Sequence, residues 1–306
     1  LAGIPELSLN ILNSTTGYDP SHSGHDYAAF LHEQKPFLES LSYARQGKLR
    51  QGIGVEANED IARRMPLRGR SLTAWLEPRP WEMILARLGL PVGLPQDPPH
   101  LLAGDIVYTI DRAAMESILQ DGAVFTPTAV RGLLELGWGD RLGVRRVDLA
   151  PAGINEYFTS DQLNGCYSTA RLQVRHYAHG LAPHRYEFND DAKVRVLSRW
   201  VDIQGADQGV AAAALELHGN VRLGLLPFEI QTAAHPVLQL ARRAQWEALF
   251  EWVARKPLPC KITGGVNLFP QVFADPLSGE TLLAVTNLSA DDTSFQYRIP
   301  GLPSEH

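Results

Sequence analysis

The segment from Gly104 to Gly137 alternates short apolar runs with amphipathic ones, and this alternation restricts the fold more than any other feature of the sequence. The pattern predicts four successive elements: a strand at Gly104–Ile110, a helix at Asp111–Leu119 capped by Asp111, a strand at Gly122–Phe125, and a helix at Thr128–Leu136 that ends at Gly137. Strands that alternate with short helices pair in parallel through right-handed crossovers. The sequence therefore predicts an α/β fold with an open, mostly parallel sheet flanked by helices.

The regions before and after this segment contribute further elements. A helix is expected over Tyr27–Tyr43, with a kink at Pro36, because apolar residues recur there at three- and four-residue spacings. Downstream of residue 171 the spacing becomes that of strands. Further predicted elements are short strands at Gln51–Ala57, Val194–Ile203, Val210–Leu217 and Val221–Leu226, a turn at His218–Gly219–Asn220, and helices at Trp81–Leu88 and Pro236–Ala254.

The last fifty residues show a different rhythm. Four short strands are predicted at about ten-residue spacing: Cys260–Val266, Gln271–Ala274, Thr281–Asn287 and Ser294–Ile299. This spacing is typical of an antiparallel β unit. We therefore expect two domains, an α/β domain over residues 1–257, whose residues 1–25 enter from an upstream domain, and an antiparallel β segment over residues 258–306.

Composition excludes several classes of function. The 306 residues contain 28 Lys and Arg against 34 Asp and Glu, a net charge of −6, which does not attract nucleic acid or anionic membrane surfaces over long range. The sequence has two cysteines, too few for a disulfide framework or a multi-cysteine zinc site. Its glycine pairs, Gly52-x-Gly54 and Gly137-x-Gly139, lack the rest of a phosphate-binding loop, so no nucleotide cofactor is expected. The sequence leaves the cell compartment open.

Three residues are candidates for catalysis, and none has the surroundings that its chemistry needs. Cys166 lies in Asn164–Ser168, where a nucleophile in a tight turn could pair with His176, but no strand-to-helix elbow is predicted there. Glu156 follows Asn155 as the acid/base does in many retaining glycosidases, yet no apolar strand is predicted before it. The spacing of Cys166, His176 and His179 matches no closed zinc site, so no metal is expected.

Two aromatic residues are candidate contacts for a carbohydrate. Trp138 is flanked by glycines in a predicted loop, where we expect it to be exposed, and Tyr157 follows Glu156. Rings of this kind stack on sugars or anchor a subunit interface.

Three segments carry a resemblance to the C-terminal half of family 42 glycoside hydrolases of the β-galactosidase type. They are GAVFTPTAVRGLLELGWGDRLGV within Asp105–Val144, the run Gly219–Pro259 that begins GNVRLGLLPFEI, and TLLAVTNLSADD at Thr281–Asp292. In that family a catalytic barrel precedes a glutamine-amidotransferase-like trimerisation domain and a β-sandwich. The resemblance implies that fold for this chain, with an upstream catalytic barrel of the same polypeptide as a partner and a homo-oligomer as the assembly.

The departures from that family determine the functional hypothesis. A working glutamine amidotransferase has a cysteine at the elbow after a central strand and a late His-x-Glu, whereas this sequence has Thr126–Pro127–Thr128 at that position and no His-x-Glu. The leading hypothesis is a non-catalytic accessory region of a carbohydrate-active enzyme. The alternatives are a cysteine-dependent hydrolase or amidase that uses Cys166 with a nearby histidine, and a carbohydrate-binding module.

Overall fold

The structure is a computed structural model that describes residues 25–56, 78–95, 97–173, 181–230, 237–265, 267–287 and 292–301. Residues 25–48 belong to one compact unit and the residues from Leu49 onward to another. The first unit contains helix α1 (His25–Arg45), with Pro36 inside it, which confirms the helix predicted over Tyr27–Tyr43. Among the described helices, none combines the length and the hydropathy that crossing a bilayer requires.

Eleven strands of the second unit form one mixed sheet. The strands are β2 (Gly54–Val55), β3 (His100–Leu102), β4 (Ala123–Phe125), β5 (Val144–Leu149), β6 (Asn155–Phe158), β7 (Arg171–Gln173), β8 (Leu181–Phe188), β9 (Lys193–Val201), β10 (Asp207–Leu217), β11 (Val221–Leu225) and β12 (Phe228–Ile230). Strands β2, β3, β4 and β11 are parallel neighbours in this order. From β11 the sheet continues through β10, β9, β6 and β7, all antiparallel, while β8 pairs with β5, β10 and β12.

The α/β class is confirmed, but the expectation of a mostly parallel sheet is wrong. Parallel strands need a long crossover, whereas a short turn can only join antiparallel strands. The turn His218–Asn220 joins β10 to β11 in this way, with Gly219 and Asn220 in the left-handed region. The β-α-β-α segment therefore builds only one side of the sheet.

Helices cover both faces of the sheet. They are α2 (Pro78–Arg87), α3 (Arg112–Asp121), α4 (Pro127–Glu135), the single turn α5 (Gly139–Leu142) and α6 (Leu240–Ala254). One core cluster joins Trp81 of α2 and Trp246 of α6 to strand residues such as Val124. The other cluster joins Met115 of α3 and Leu133 of α4 to strand residues that are adjacent in the chain to those of the first cluster. The two clusters lie on different faces because successive strand side chains point to opposite faces of the sheet.

The first predicted strand of the β-α-β-α segment is wrong. Gly104–Thr109 is a 3-10 helix, and the strand is β3, which ends two residues earlier. Ile106 and Val107, which suggested a strand, are buried against α4 from this tight turn. The next element is as predicted: the Asp111 carboxylate accepts a hydrogen bond of 2.8 Å from the Ala114 N–H and caps α3.

The C-terminal strands are antiparallel, as predicted. Strands β14 (Leu268–Ala274) and β15 (Thr281–Asn287) pair with each other, and β13 (Lys261–Thr263) pairs with β16 (Gln296–Arg298). Strand β1 (Leu49–Gln51) pairs with β14, so a strand before the expected boundary at residue 257 joins one beyond it. The boundary itself stays a prediction.

Candidate functional site

The carboxyl ends of the parallel strands form one edge of the sheet, which is where open α/β sheets bind ligands. Strand β4 ends at Phe125 and α4 begins at Pro127, so Thr126 occupies a tight turn from strand to helix, which we call the elbow (Thr126–Pro127–Thr128). Thr126 is fully buried, and its Oγ1 accepts a hydrogen bond of 3.1 Å from the Gly104 N–H, in the loop that follows β3. The elbow is therefore tied to the neighbouring loop.

A buried carboxyl group lies against the elbow. Glu229 of β12 accepts a hydrogen bond of 2.5 Å from the Thr128 N–H at the start of α4, and the hydroxyls of Thr126 and Thr128 also donate to it. The carboxyl thus takes the place of an N-cap side chain at the positive end of the helix. Burial raises its pKa from 4.5 to about 7, although the three hydrogen bonds and the charge of Arg131 oppose this rise.

A buried histidine completes the cluster. His184 of β8 is 2% exposed, and its Nδ1 lies 2.8 Å from the Ala182 carbonyl oxygen, which can only accept. The Nδ1 therefore carries the proton, and the Nε2 accepts from Arg131 Nη2 at 2.9 Å. Burial lowers the pKa of His184 to about 4, with the Arg131 charge acting in the same direction, so the ring is neutral at pH 7.

These residues, the elbow cluster (Thr126, Thr128, Arg131, His184 and Glu229), contain two strongly shifted pKa values. Such shifts occur at functional sites and also in structural networks. Here the geometry is that of a structural network, since Glu229 is 8% exposed, Thr126 is 0% exposed and both bind protein partners, while Arg131 lies at the exposed end of the cluster. Neither Thr126 nor Glu229 therefore offers a substrate an open nucleophile.

Glu229 and Arg131 are not among the candidates that the sequence indicates. The available signal was a lone carboxylate inside the apolar run Leu225–Ile230, directly after a predicted strand. A charged residue in such a run needs a buried partner, and a helix start supplies it here.

Glu156, the candidate acid, lies in a different buried network. No apolar strand is predicted before Glu156, but the residue itself belongs to strand β6 and is 0% exposed. Both Nη atoms of Arg242 donate to its carboxylate, and Ser198 Oγ donates at 2.5 Å. A guanidinium that grips a carboxylate through two nitrogens satisfies it fully, so Glu156 has no solvent-facing atom with which to protonate a substrate.

The surroundings of Arg242 extend this network across the core. Its Nη1 also donates to Gln245 Oε1 at 2.7 Å, and Gln245 Nε2 donates to Asn164 Oδ1 at 2.8 Å. The rings of Phe158, Phe228 and Trp246 lie 5.2–5.8 Å from the guanidinium carbon. The network fixes α6 to β6 and to the turn that contains Asn164.

The structure brings the other catalytic candidates to no common site. Cys166 is exposed on a 3-10 turn (Gln162–Tyr167) that leads into β7, so the strand-to-helix context of a nucleophile is not present at this residue. Its expected partner His176 lies outside the described residues, as does His179. Cys260 is buried, and burial raises the pKa of its thiol to about 11. Within the described ranges, no three His, Cys, Asp or Glu side chains are grouped to bind a metal ion.

The two aromatic candidates differ in exposure. Trp138 is only 8% exposed, in the core beside α4 with the Arg112 guanidinium over its ring, so the expectation of an exposed ring is wrong. Its flanking glycines form the turn into α5 rather than a free loop. Tyr157 is half-buried and lines a small cavity.

A larger groove lies near the amino end of β11, away from the elbow. Its volume is about 760 Å³, and it is lined by both acidic and basic side chains, among them Glu116, Asp140, Arg141 and Lys193. Arg141 Nη2 donates to Glu116 at 3.3 Å across it. Charges that are paired with one another in an open groove form an ordinary solvated surface.

The sequence matches no protein-family model and no curated protein sequence. Solved structures do resemble the fold. The α-L-fucosidase isoenzyme 2 from Paenibacillus thiaminolyticus matches with a TM-score of 0.51 at 8% identity, over 85% of this chain and 40% of that one. At this identity the likeness shows a shared fold and nothing more.

Two further structures match less well. Gan42B, a GH42 β-galactosidase from G. stearothermophilus, gives a TM-score of 0.44 at 10% identity, over 81% of this chain and 40% of that one. Agd3, a carbohydrate deacetylase, gives 0.43 at 11% identity, over 73% and 34%. The chain thus spans 40% or less of the length of each of these proteins.

Proposed function

We propose that this chain is an accessory region of a carbohydrate-active enzyme, one that supports the assembly of a glycoside hydrolase while a separate catalytic barrel of the same polypeptide breaks the glycosidic bond. The likeness to an α-L-fucosidase supports the choice of enzyme class. Most of this chain matches less than half of that protein, which supports a region of a longer enzyme. The amidotransferase-like ancestry of the α/β domain and the β-sandwich character of its C-terminal segment belong to the same proposal.

The state of the elbow is the observation that carries the proposal. In α/β hydrolases this turn projects a nucleophile above the sheet. Here Thr126 occupies it with a buried hydroxyl that binds Gly104 and Glu229, and Glu156, the candidate acid, is fully used by Arg242 and Ser198. Groups that catalysis would need free are occupied in holding the fold together.

The test is a direct assay of the purified chain on nitrophenyl β-galactosides and α-L-fucosides. We expect no nitrophenol release above that of buffer. The matched variants are Glu156→Gln and Glu229→Gln, with circular dichroism to confirm that each is folded. Turnover by the wild-type chain that either variant loses while remaining folded would assign a catalytic carboxylate to this chain and end the proposal.

The accessory role also makes a prediction about assembly. Light scattering coupled to size exclusion should give a mass that is a multiple of the 33.7 kDa chain. A mass of one chain at the highest concentration tested would contradict a role in oligomer contacts.

A further inference from the structure

A cavity lies where helix α6 ends, beside the two-stranded sheet of β13 and β16. Its volume is about 490 Å³. This volume is within the range of small-ligand sites, which is about 300–1,000 Å³. Four of the residues that line it are cationic, Arg255, Lys256, Lys261 and Arg298, and one is a carboxylate, Glu251. The cavity therefore gathers positive charge from three separate segments of the chain.

One of these four cations is already compensated. Lys261 Nζ lies 2.8 Å from Glu251 Oε2 and 2.9 Å from Glu247 Oε1. Glu251 Oε1 in turn accepts a hydrogen bond of 3.0 Å from the Leu258 N–H. Both glutamates are thus engaged with Lys261 and with the backbone that follows α6.

The other three cations are not compensated. Among the residues that the structure describes, Arg255, Lys256 and Arg298 have no carboxylate partner. Arg298 of β16 is also directly opposite Lys261 of β13, and like charges in directly opposed positions destabilise a sheet. The negative end of α6 accounts for cations at Arg255 and Lys256. It does not account for Arg298, which comes from a separate strand.

The backbone at the end of α6 holds two of these cations in a restricted conformation. Arg255 has a φ of 55°, in the left-handed region where a helix usually ends on glycine. Pro257 restricts Lys256, the residue before it, to extended conformations. The side chains of Arg255 and Lys256 therefore start from fixed positions at the edge of the cavity.

The charge of the cavity indicates the charge of its ligand. Four cations and the carboxylates of Glu247 and Glu251 leave a net charge of +2. The groove near the amino end of β11 differs, since its Arg141 is paired with Glu116. A phosphate monoester carries about −1.5 to −2 charges at pH 7 and has three strong acceptor oxygens. A guanidinium fork matches such oxygens through two parallel hydrogen bonds.

We propose that this cavity binds a doubly charged phosphate group, either free phosphate or the phosphate of a monoester. Arg255 and Arg298 supply guanidinium forks from two different elements, and Lys256 adds a third uncompensated charge. A single carboxylate would neutralise only half of the net charge. The proposal goes beyond the accessory role and does not depend on it.

The experiment is titration calorimetry of the full chain with methyl phosphate, with dimethyl phosphate as the matched probe, at constant ionic strength. At about pH 8 methyl phosphate is doubly charged, because its second pKa is about 6, whereas the diester has one charge. We expect methyl phosphate to bind at least about tenfold more tightly than the diester. Inorganic phosphate and galactose 6-phosphate distinguish the sources: equal binding assigns the site to the phosphate group alone, and tighter binding of galactose 6-phosphate assigns it to a sugar phosphate.

Variants of Arg298 test the cavity itself. This residue is exposed on β16, so its truncation leaves the core intact, and circular dichroism confirms the fold. Arg298→Ala should weaken the binding of methyl phosphate by about tenfold or more. Arg298→Lys should recover part of the loss, since a lysine keeps the charge without the fork. Arg145→Ala removes the same charge from an exposed arginine that pairs with Glu187 outside the cavity, and it should have no effect.

Several results would overturn the proposal. They are no binding of methyl phosphate, equal binding of the monoester and the diester, unchanged binding by Arg298→Ala, or equal weakening by Arg145→Ala, which would indicate a response to the net charge of the chain alone. Turnover of nitrophenyl glycosides would refute the accessory role without affecting this cavity, and a failure to bind phosphate would refute the cavity alone.

Discussion

Glu156 and Glu229 are both buried in strands of one sheet, yet the protein accommodates them in opposite ways. In the antiparallel half, Glu156 meets a full positive charge, that of Arg242. Glu229 of β12 lies at the carboxyl end of the parallel strand β4, where it meets hydroxyls, a backbone N–H and the start of a helix, with the Arg131 charge as a smaller influence. A direct ion pair gives the first carboxylate a partner of opposite charge, whereas dipoles alone leave the protonation of Glu229 open to pH.

The difference follows from what each part of the sheet places nearby. The carboxyl end of a parallel strand leads into a helix start, whose N–H groups receive a carboxyl without any side-chain cation. The middle of an antiparallel strand has no such helix end. Glu156 therefore needs a cation, and α6 supplies Arg242 from across the core. We expect Glu156 to matter for stability and Glu229 to matter for the pH dependence of stability.

The largest effect is expected from Arg242→Met. It leaves the carboxylate of Glu156 buried and without its partner, and breaking a buried pair in this way costs about 3–5 kcal/mol. Urea unfolding followed by tryptophan fluorescence measures the loss, since Trp246 lies in the same cluster. A loss below about 1 kcal/mol would show that Glu156 does not depend on this arginine.

The double variant Glu156→Gln with Arg242→Met sharpens the result. Removing the charge as well as its partner should recover about 1–2 kcal/mol relative to Arg242→Met alone, because the remaining cost is then that of neutral polar groups. If the losses of the two single variants simply add in the double variant, the two residues are not coupled.

The elbow cluster should show two pH effects of opposite sign. Glu229 binds its proton more tightly in the folded state, where its pKa is about 7 against 4.5, so it stabilises below pH 4.5 and this stability is lost as the pH rises to 7. His184 binds its proton less tightly, with a pKa of about 4 against 6.5, so its contribution is present above pH 6.5 and is lost as the pH falls to 4. Each amounts to at most about 3 kcal/mol.

We therefore expect the two contributions to cancel in the wild-type chain and to separate in single variants. Relative to the wild type, Glu229→Gln should gain stability as the pH rises from 4.5 to 7, and His184→Gln should lose it. Both substitutions keep a hydrogen-bonding side chain but remove the titrating group. Chemical unfolding at half-unit pH intervals measures the differences, and variants whose curves run parallel to the wild type would refute this account of the cluster.

The sequence predicts much of this fold because local rules decide it. Asp111 caps α3 as its position indicates, the run His218–Asn220 turns β10 into β11, and the apolar spacing of Tyr27–Tyr43 yields α1. The exception is Gly104–Ile110, where the apolar residues of a 3-10 helix look like those of a strand. Hydrophobicity within six residues cannot separate these two forms when both bury the same side chains.

The candidate sites were less predictable, because their partners are distant in the chain. Glu156 and Arg242 are 86 residues apart, and Thr128 and Glu229 are 101 apart. Polar residues such as Asn155 and Glu156 do not indicate a strand in isolation, and the cation that accompanies Glu156 in the core comes from α6. The expectation of an exposed Trp138 is wrong for a related reason, since its flanking glycines suggest a loop and the core contacts that bury it are tertiary.

The smallest expected effect compares one hydroxyl at each glutamate. Ser198→Ala removes a donor from Glu156, which is fully buried and paired with Arg242, and should cost about 2 kcal/mol, as hydrogen bonds to ion pairs do. Thr128→Val removes a donor from Glu229 at a half-exposed position and should cost less than about 1 kcal/mol. Because the Thr128 hydroxyl favours the ionised carboxyl, its loss should also raise the pKa of Glu229 and move the pH dependence upward, whereas Ser198→Ala should leave that dependence unchanged. Equal losses for the two variants, or a pH curve that moves with Ser198→Ala, would mean that the two carboxyl groups are held in the same way after all.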